Sequence, residues 1–146
     1  EILNINLINP AKIVTKLFSK NLINKRANII FISSLQGDKI FIPGSLSYCV
    51  SKSALTTLSK SLAAEMASEE IKVNTVSPGM IKTPLVERAS HLSKEAIKKD
   101  KKKYLLGKDY LSIKDVLNVI DFLISNRQKN ITGQNIIVDS GFTLFK

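Results

Sequence analysis

Tyr48 and Lys52 stand four residues apart, a spacing that places two side chains on one face of a helix about one turn apart. That pairing has a chemical use. A phenol ordinarily loses its proton near pH 10, about three units too high for an acid–base group at neutral pH, and a nearby ammonium favours the phenolate. The pair is therefore a candidate acid–base centre. In a chain with 19 lysines the spacing also arises readily by chance, so on its own it reads as a surface pair.

The elements around the pair change that reading. Asn28-Ile-Ile-Phe-Ile-Ser-Ser34 is a short apolar run rich in β-branched residues, the pattern of a strand buried on both faces of a parallel sheet. Ser34 falls at its carboxyl end, the side of an open α/β sheet where ligands bind. Residues 35–47 contain Gly37, Pro43 and Gly44 and read as a loop. A helix is predicted from Tyr48 to about Ser68 on the stripe Ser51, Leu55, Leu58, Leu62 and Met66. Tyr48 opens that helix directly after the loop, so its hydroxyl is expected in the crevice beside Ser34. A second strand, Ile71 to Val76, is closed by Ser77-Pro78-Gly79. In the turn from Pro78 to Thr83, glycine permits close backbone approach and Thr83 offers a hydroxyl to an amide or phosphate.

Three further features complete the order. Leu7, Val14, Leu17 and Phe18 suggest a partly buried helix ending near Asn21, with Pro10 in its first turn or at a kink. Ser93 is a candidate cap for a lysine-rich helix, and Ser112 with Asp115 makes a capping-box start for a helix carrying Val116, Leu117, Ile120, Leu123 and Ile124 inward. A third strand, Asn135 to Asp139, follows the turn signal Thr132-Gly133. Strands alternating with helices imply an α/β fold with an open parallel sheet, part of a doubly wound one, in a single domain spanning residues 1–146. The first strand is expected to keep an unpaired edge.

Composition narrows the partners. A chain of 146 residues, 44% of them apolar, suits one core. No stretch approaches the roughly 18 uncharged apolar residues of a membrane span. With one cysteine, Cys49, and one histidine, His91, neither an internal disulfide nor a Cys/His zinc cluster is expected, and a reducing, cytoplasmic location fits. Both residues read as packing or surface groups. The chain opens with Glu1 and shows no targeting segment. The net charge of +10 is carried almost wholly by lysine, and the run Lys98 to Lys103 lacks interleaved aromatics. It reads as a solvated helix face, with no nucleic acid and no membrane as partner.

The sequence resembles the short-chain dehydrogenase/reductase family over essentially its whole length. The matching stretches are Asn6-Leu7, Ile29 to Gly37, Tyr48 to Leu55, Val73 to Gly79 with Thr83, and Ile131 to Gly141. The resemblance implies a partial Rossmann-like domain, NAD or NADP as cofactor, and a catalytic set of Asn6, Ser34, Tyr48 and Lys52. Tyr48 would exchange a proton with the substrate oxygen, Ser34 would hydrogen-bond that oxygen, and Lys52 would tune Tyr48 and hold the nicotinamide ribose. Asn6, which Asn4 and Asn9 rival as helix-entry residues, would anchor a water leading to the lysine. Ser33 competes with Ser34, and the family spacing selects Ser34. Pro78, Gly79, Ile81 and Thr83 match the cofactor-side loop. A small alcohol or carbonyl substrate is implied, as in 3-oxoacyl-carrier-protein reductases, together with a homo-oligomer, dimer or tetramer, built on the helices bearing Asn6 and Tyr48.

Several departures qualify the resemblance. Only the carboxyl-terminal half of the family pattern is present: these residues hold no G-x-G-x-x-G loop and no group that selects NAD over NADP. Weak cofactor binding and little or no turnover are expected of this chain alone. Asp139-Ser-Gly141 and Leu105-Leu-Gly107 stand where Asp-Gly-Gly and Pro-Leu-Gly are common. Lys25 and Arg26 could meet an acidic carrier protein, although Glu69 and Glu70 follow the tyrosine helix. The segment 85–110, which caps the substrate in the family, shows few aromatics and no specificity group. A nucleotide-sugar epimerase or dehydratase shares Tyr-x-x-x-Lys, but Thr132-Gly-Gln and Val138-Asp-Ser-Gly argue against it. A non-enzymatic remnant that associates through its helices is the remaining alternative.

Overall fold

The computed structural model describes residues 1–84, 86, 93–125 and 127–144. Strands β1 (Asn28–Ile32), β2 (Lys72–Pro78) and β3 (Asn135–Val138) form one parallel sheet in the order β1-β2-β3. The register pairs Ile32 with Val76 and Pro78 with Val138. Among the described residues β1 therefore lies at an edge, as the run of three strands required. Helices α1 (Asn9–Ser19), α2 (Leu46–Glu65), α3 (Lys94–Lys101) and α4 (Ile113–Ile124) complete the α/β order.

Strand alternation divides the core between the two faces of the sheet. Phe31 and Val73 turn toward α2, where they pack with Leu55, Leu62, Ala63 and Met66, and Leu7, Val14 and Phe18 close that layer from the first helix. Val76 turns the other way, onto Leu111, Val116 and Leu123, with Ile30, Ile136 and Val138 beside it. The central strand is sealed on both sides, from Val73 to Ser77 at 1% exposure or less. Buried Asn74 serves as a tie, donating to Ile131 O (2.8 Å) and accepting from Gln134 N (3.0 Å), which fixes the turn leading into β3.

The element ends differ from the sequence expectation in ways that have physical causes. β1 stops at Ile32, although Ser33 N still reaches Val76 O at 2.8 Å. β2 starts at Lys72 and continues through Pro78, a residue normally excluded from a central strand. Even-numbered residues of β2 face β1, and β1 has ended before position 78, so the missing N–H has no acceptor to lose. Gly79 N resumes the pairing on the other side, to Val138 O at 2.8 Å. β3 ends at Val138 rather than Asp139. α2 begins two residues early, at Leu46, and ends at Glu65, followed by a short 3-10 turn over Ala67–Glu69.

Three apolar side chains assigned inward face outward. Leu17 is 38%, Leu117 49% and Ile124 48% exposed. On α4, Val116, Ile120 and Leu123 point at the sheet, and positions 117 and 124 lie roughly 100° round from 116 and 123. Ser112 and Asp115 form the complete capping box, and Ser93 caps α3 through Ala96 N.

Pro10 lies in the first turn of α1. Upstream of α1 the helix widens into a π turn, Asn4–Ile8, in which Asn9 N bonds Asn4 O, five residues back. Pro10 has no N–H to offer the carbonyl four residues back, that of Asn6, so the turn that carries Asn6 departs from α geometry.

Candidate active site

A cleft of about 420 Å³ opens at the carboxyl ends of β1 and β2. Ser34, Tyr48 and Lys52 contribute to its wall from the β1–α2 side, and Pro78, Gly79, Ile81 and Thr83 from the turn after β2.

The first wall is set by the junction of β1 and α2. Buried Ser33 donates to Lys52 O (2.9 Å) and accepts from Thr56 Oγ1 (3.2 Å), so the residue that rivalled Ser34 pins the helix to the strand. Ser34, next along, turns into the cleft and accepts from Gln36 N at 3.2 Å, which leaves its hydroxyl proton to donate. The loop is pressed onto α2 so closely that a Cβ on Gly37 would lie 2.2 Å from Cys49 O, and Gly37 has φ +90°. Only glycine meets both demands. Cys49 is buried beside Ser45 Oγ (3.3 Å), a packing role.

Lys52 Nζ donates to Ile32 O at 2.8 Å and sits 5.7 Å from the centre of the Tyr48 ring. Burial holds its pKa below the ordinary lysine value. An ammonium has three protons, so two stay free for a ligand. The Tyr48 hydroxyl lines the same cleft and has no hydrogen-bond partner among the described residues.

Asn6 stands apart. Its amide donates to Ser51 Oγ (3.1 Å), which donates to Tyr48 O (2.7 Å), and it forms no part of the cleft wall. Seven of the eight residues singled out by sequence thus share one cleft, and Asn6 reaches it through the backbone of the tyrosine helix.

The second wall is held from below. Lys82 N bonds Leu111 O (2.8 Å) and Leu111 N bonds Met80 O (2.9 Å), while Thr83 Oγ1 accepts from Val86 N (3.3 Å). Lys82 and Lys101 both pair with Asp109, at 2.6 and 2.9 Å, and hold its carboxyl well below the usual carboxylate range.

Sequence reasoning missed one residue here. Tyr104, 2% exposed, lines the cleft and accepts from Met80 N at 2.9 Å through its phenolic oxygen. Its ring meets Tyr110 edge-on (centroids 5.5 Å) and Phe142 at a tilt (4.9 Å). Burial pushes its pKa up to about 12. Residues 85–110 thus contribute a cleft residue that the sequence did not single out. A lone tyrosine after a lysine run carries no periodic signal, and what makes it a cleft residue is its pairing with Met80. Leu85, His91 and the rest of 87–92 lie outside the described residues.

Lys25 and Arg26 pair with Glu69 (3.1 Å) and Glu70 (2.9 Å), so they present no unopposed basic patch. Lys101 and Lys103 of the lysine run are likewise paired, with Asp109 and Asp100. Among the described residues no group of three or more His, Cys, Asp or Glu could hold a metal ion, and no helix is long and apolar enough to cross a membrane.

The geometry has counterparts. A family profile described as enoyl-(acyl carrier protein) reductase matches residues 1–143. A 3-oxoacyl-(acyl-carrier-protein) reductase of Rickettsia felis is 35% identical over 144 residues, covering 99% of this chain and 58% of that protein. The oxidoreductase UcpA of Salmonella typhimurium is 32% identical over 136 residues, covering 90% and 52%. Among solved structures, a short chain dehydrogenase family protein from Francisella tularensis superposes with TM-score 0.84 at 30% identity, over 97% of this chain and 60% of that one. A 4-hydroxyisoleucine dehydrogenase mutant complexed with NADH and succinate does so with TM-score 0.84 at 31% identity, over 99% and 58%. The chain thus spans a little over half the length of these relatives.

Proposed function

Because the chain belongs to the short-chain dehydrogenase/reductase family, we propose that its cleft is the catalytic half of a cytoplasmic NAD- or NADP-dependent oxidoreductase, acting on a small alcohol or carbonyl compound with Tyr48 as acid–base group. One observation carries the reading: a phenol without a partner among the described residues, a half-buried ammonium and a hydroxyl proton left to donate, those of Tyr48, Lys52 and Ser34, converge on one cleft facing the Pro78–Thr83 turn.

The residues present fit a nicotinamide nucleotide. Gly79 keeps the turn flat where a Cβ would meet Tyr104 at 3.2 Å, and Lys52 has two protons for ribose hydroxyls. The cofactor supplies the hydride when bound. Ser34 donates its proton to the substrate oxygen and stabilises the charge that develops there, a preorganised donor's role. Tyr48 gives or takes the proton at that oxygen, and Lys52 favours the phenolate when the proton leaves. Asn6 orients the tyrosine helix through Ser51, and its carbonyl, left by Pro10 without its α-helical donor, is the atom to anchor a water beside the lysine.

The relatives that are 3-oxoacyl-(acyl-carrier-protein) reductases favour a 3-oxoacyl thioester as substrate. These 146 residues contain no glycine-rich phosphate loop, so the chain alone is expected to turn over little or nothing. Joining the amino-terminal portion of the Rickettsia felis reductase to this chain and following NADH and NADPH oxidation with an acetoacetyl thioester tests the reading. Turnover should appear and should fall at least about a hundredfold in Tyr48→Phe; equal turnover in the two proteins removes Tyr48 from the mechanism. A homo-oligomer is favoured by exposed Ile2, Leu3, Leu46 and Val50 on the first helical turns and α2, and a monomeric mass by light scattering would contradict it.

A further inference from the structure

We propose that Tyr104 is a ligand-binding residue of the cleft, its phenolic proton donated to the carboxamide oxygen of a nicotinamide lying against the Pro78–Thr83 turn. The inference rests on the nicotinamide reading above and adds to it a residue outside the set that the resemblance supplied.

Tyr104 is 2% exposed and borders the cleft. Its oxygen accepts from Met80 N (2.9 Å), and its own proton has no acceptor among the described residues. A buried hydroxyl proton without an acceptor is costly, so it calls for a partner from the cleft. The nearby carboxylates are engaged elsewhere. Asp100 accepts from Lys103 Nζ (2.9 Å) and Tyr110 Oη (3.1 Å), and Asp139 from Gly141 N, Thr143 N and Thr143 Oγ1.

The ring cannot turn to find another partner. Tyr110 meets it edge-on, Phe142 lies against it, and Gly79 is packed so closely that a Cβ there would lie 3.2 Å from Cε1. A hydroxyl that accepts an N–H is polarised toward donation, so Met80 N, Tyr104 Oη and a ligand carbonyl would form a cooperative chain. Burial keeps the proton in place throughout the physiological range. An acceptor oxygen on the Met80 side of the cleft, opposite the Ser34 and Tyr48 proposed to serve the substrate oxygen, satisfies it. On a nicotinamide, the carboxamide supplies that atom.

Nicotinamide mononucleotide tests this, because it needs no diphosphate loop. Its affinity for the 146-residue chain would be measured by NMR titration beside that of the pyridinium mononucleotide lacking the carboxamide, for wild type and Tyr104→Phe. The expected result is a roughly three- to tenfold loss for nicotinamide mononucleotide in the variant and no loss for the other ligand. An equal loss for both ligands overturns the proposal and makes Tyr104 only an anchor for Met80. Equal binding of nicotinamide mononucleotide by the two proteins also overturns it and leaves the functional reading standing. Wild-type binding no tighter than that of ribose 5-phosphate overturns both. Should Tyr104→Phe fail to fold, wild type with tyrosine labelled at Cζ decides: the Tyr104 signal moves with nicotinamide mononucleotide and not with its des-carboxamide analogue, and a signal that moves equally with both refutes the bond.

Discussion

Alkaline titration probes the aromatic layer beneath the cleft. Tyr104 and Tyr110 are both pushed up to about 12, with burial the leading cause in each and the Asp100 charge next for Tyr110. A phenol whose folded pKa lies above its unfolded value of 10 contributes stability that is fully present below pH 10 and is lost as pH rises toward 12, because the unfolded chain gives up the proton first. Two units at about 1.4 kcal/mol each set an upper bound of about 3 kcal/mol for Tyr104, which is nearly inaccessible to water. Tyr110 is partly exposed and contributes less. Lys52 works in the other direction: burial depresses its pKa, so the folded state gains stability as pH rises toward 10.5. The informative window is therefore above 10.5. Urea unfolding midpoints across that window should fall steeply for wild type and less steeply for Tyr104→Phe. Phenolate absorbance should show the Tyr104 and Tyr110 phenols ionising late, and one late phenol fewer in the variant. An unchanged late amplitude in Tyr104→Phe would show that this ring is not the buried one.

Other substitutions test single contacts. Gly37→Ala places a Cβ 2.2 Å from a backbone oxygen at φ +90°, so it should lower the unfolding free energy by at least about 2 kcal/mol in urea titrations. Ser112→Ala removes the bond from Asp115 N to the Ser112 hydroxyl and leaves the backbone N–H of position 112 on the Asp115 carboxylate; it should cost about 1 kcal/mol, within a range of roughly 0.5–2, read as a drop in the urea midpoint at unchanged slope. Asp109→Asn dissolves two exposed ion pairs and should cost less than about 1 kcal/mol at low salt, vanishing in molar salt. The carboxyl of Asp109 is depressed when folded, so its contribution is present above the ordinary aspartate value and fades as pH falls below it. An Asp109→Asn deficit that persisted in acid would contradict this.

The cleft was legible where local pattern and chemistry coincide. A β-branched run ending in two serines can only be a buried strand delivering a hydroxyl to the sheet's ligand side, and a Tyr-x-x-x-Lys pair at the start of the next helix has one place to point. The capping box at Ser112 is equally local. What escaped depends on neighbours distant in the chain. Leu117 and Ile124 belong to the apolar pattern of α4, yet the sheet covers only the stripe through Val116, Ile120 and Leu123. Pro78 looked like a strand terminator, and its acceptability follows from β1 ending two register positions earlier. Tyr104 gains its meaning from Met80, 24 residues away, and no window around the lysine run contains that information.

The bonds that shape the cleft wall bearing Ser34, Tyr48 and Lys52 lie within the described residues. Ser33 ties α2 to β1, Lys52 is held by Ile32 O, Gly37 seats the loop on Cys49, and Asn6 reaches Tyr48 through Ser51. None of these contacts calls on a phosphate-binding loop. Geometry and affinity are therefore separable here: the positions of Ser34, Tyr48 and Lys52 are fixed by local packing, whereas the grip on a dinucleotide's diphosphate requires backbone amides at a helix N-terminus that these residues do not supply. If the proposed function holds, supplying such a loop should lower the concentration of cofactor required far more than it changes the proton-transfer step, because the side chains proposed to act at the reacting oxygen are already locked into their own secondary structure.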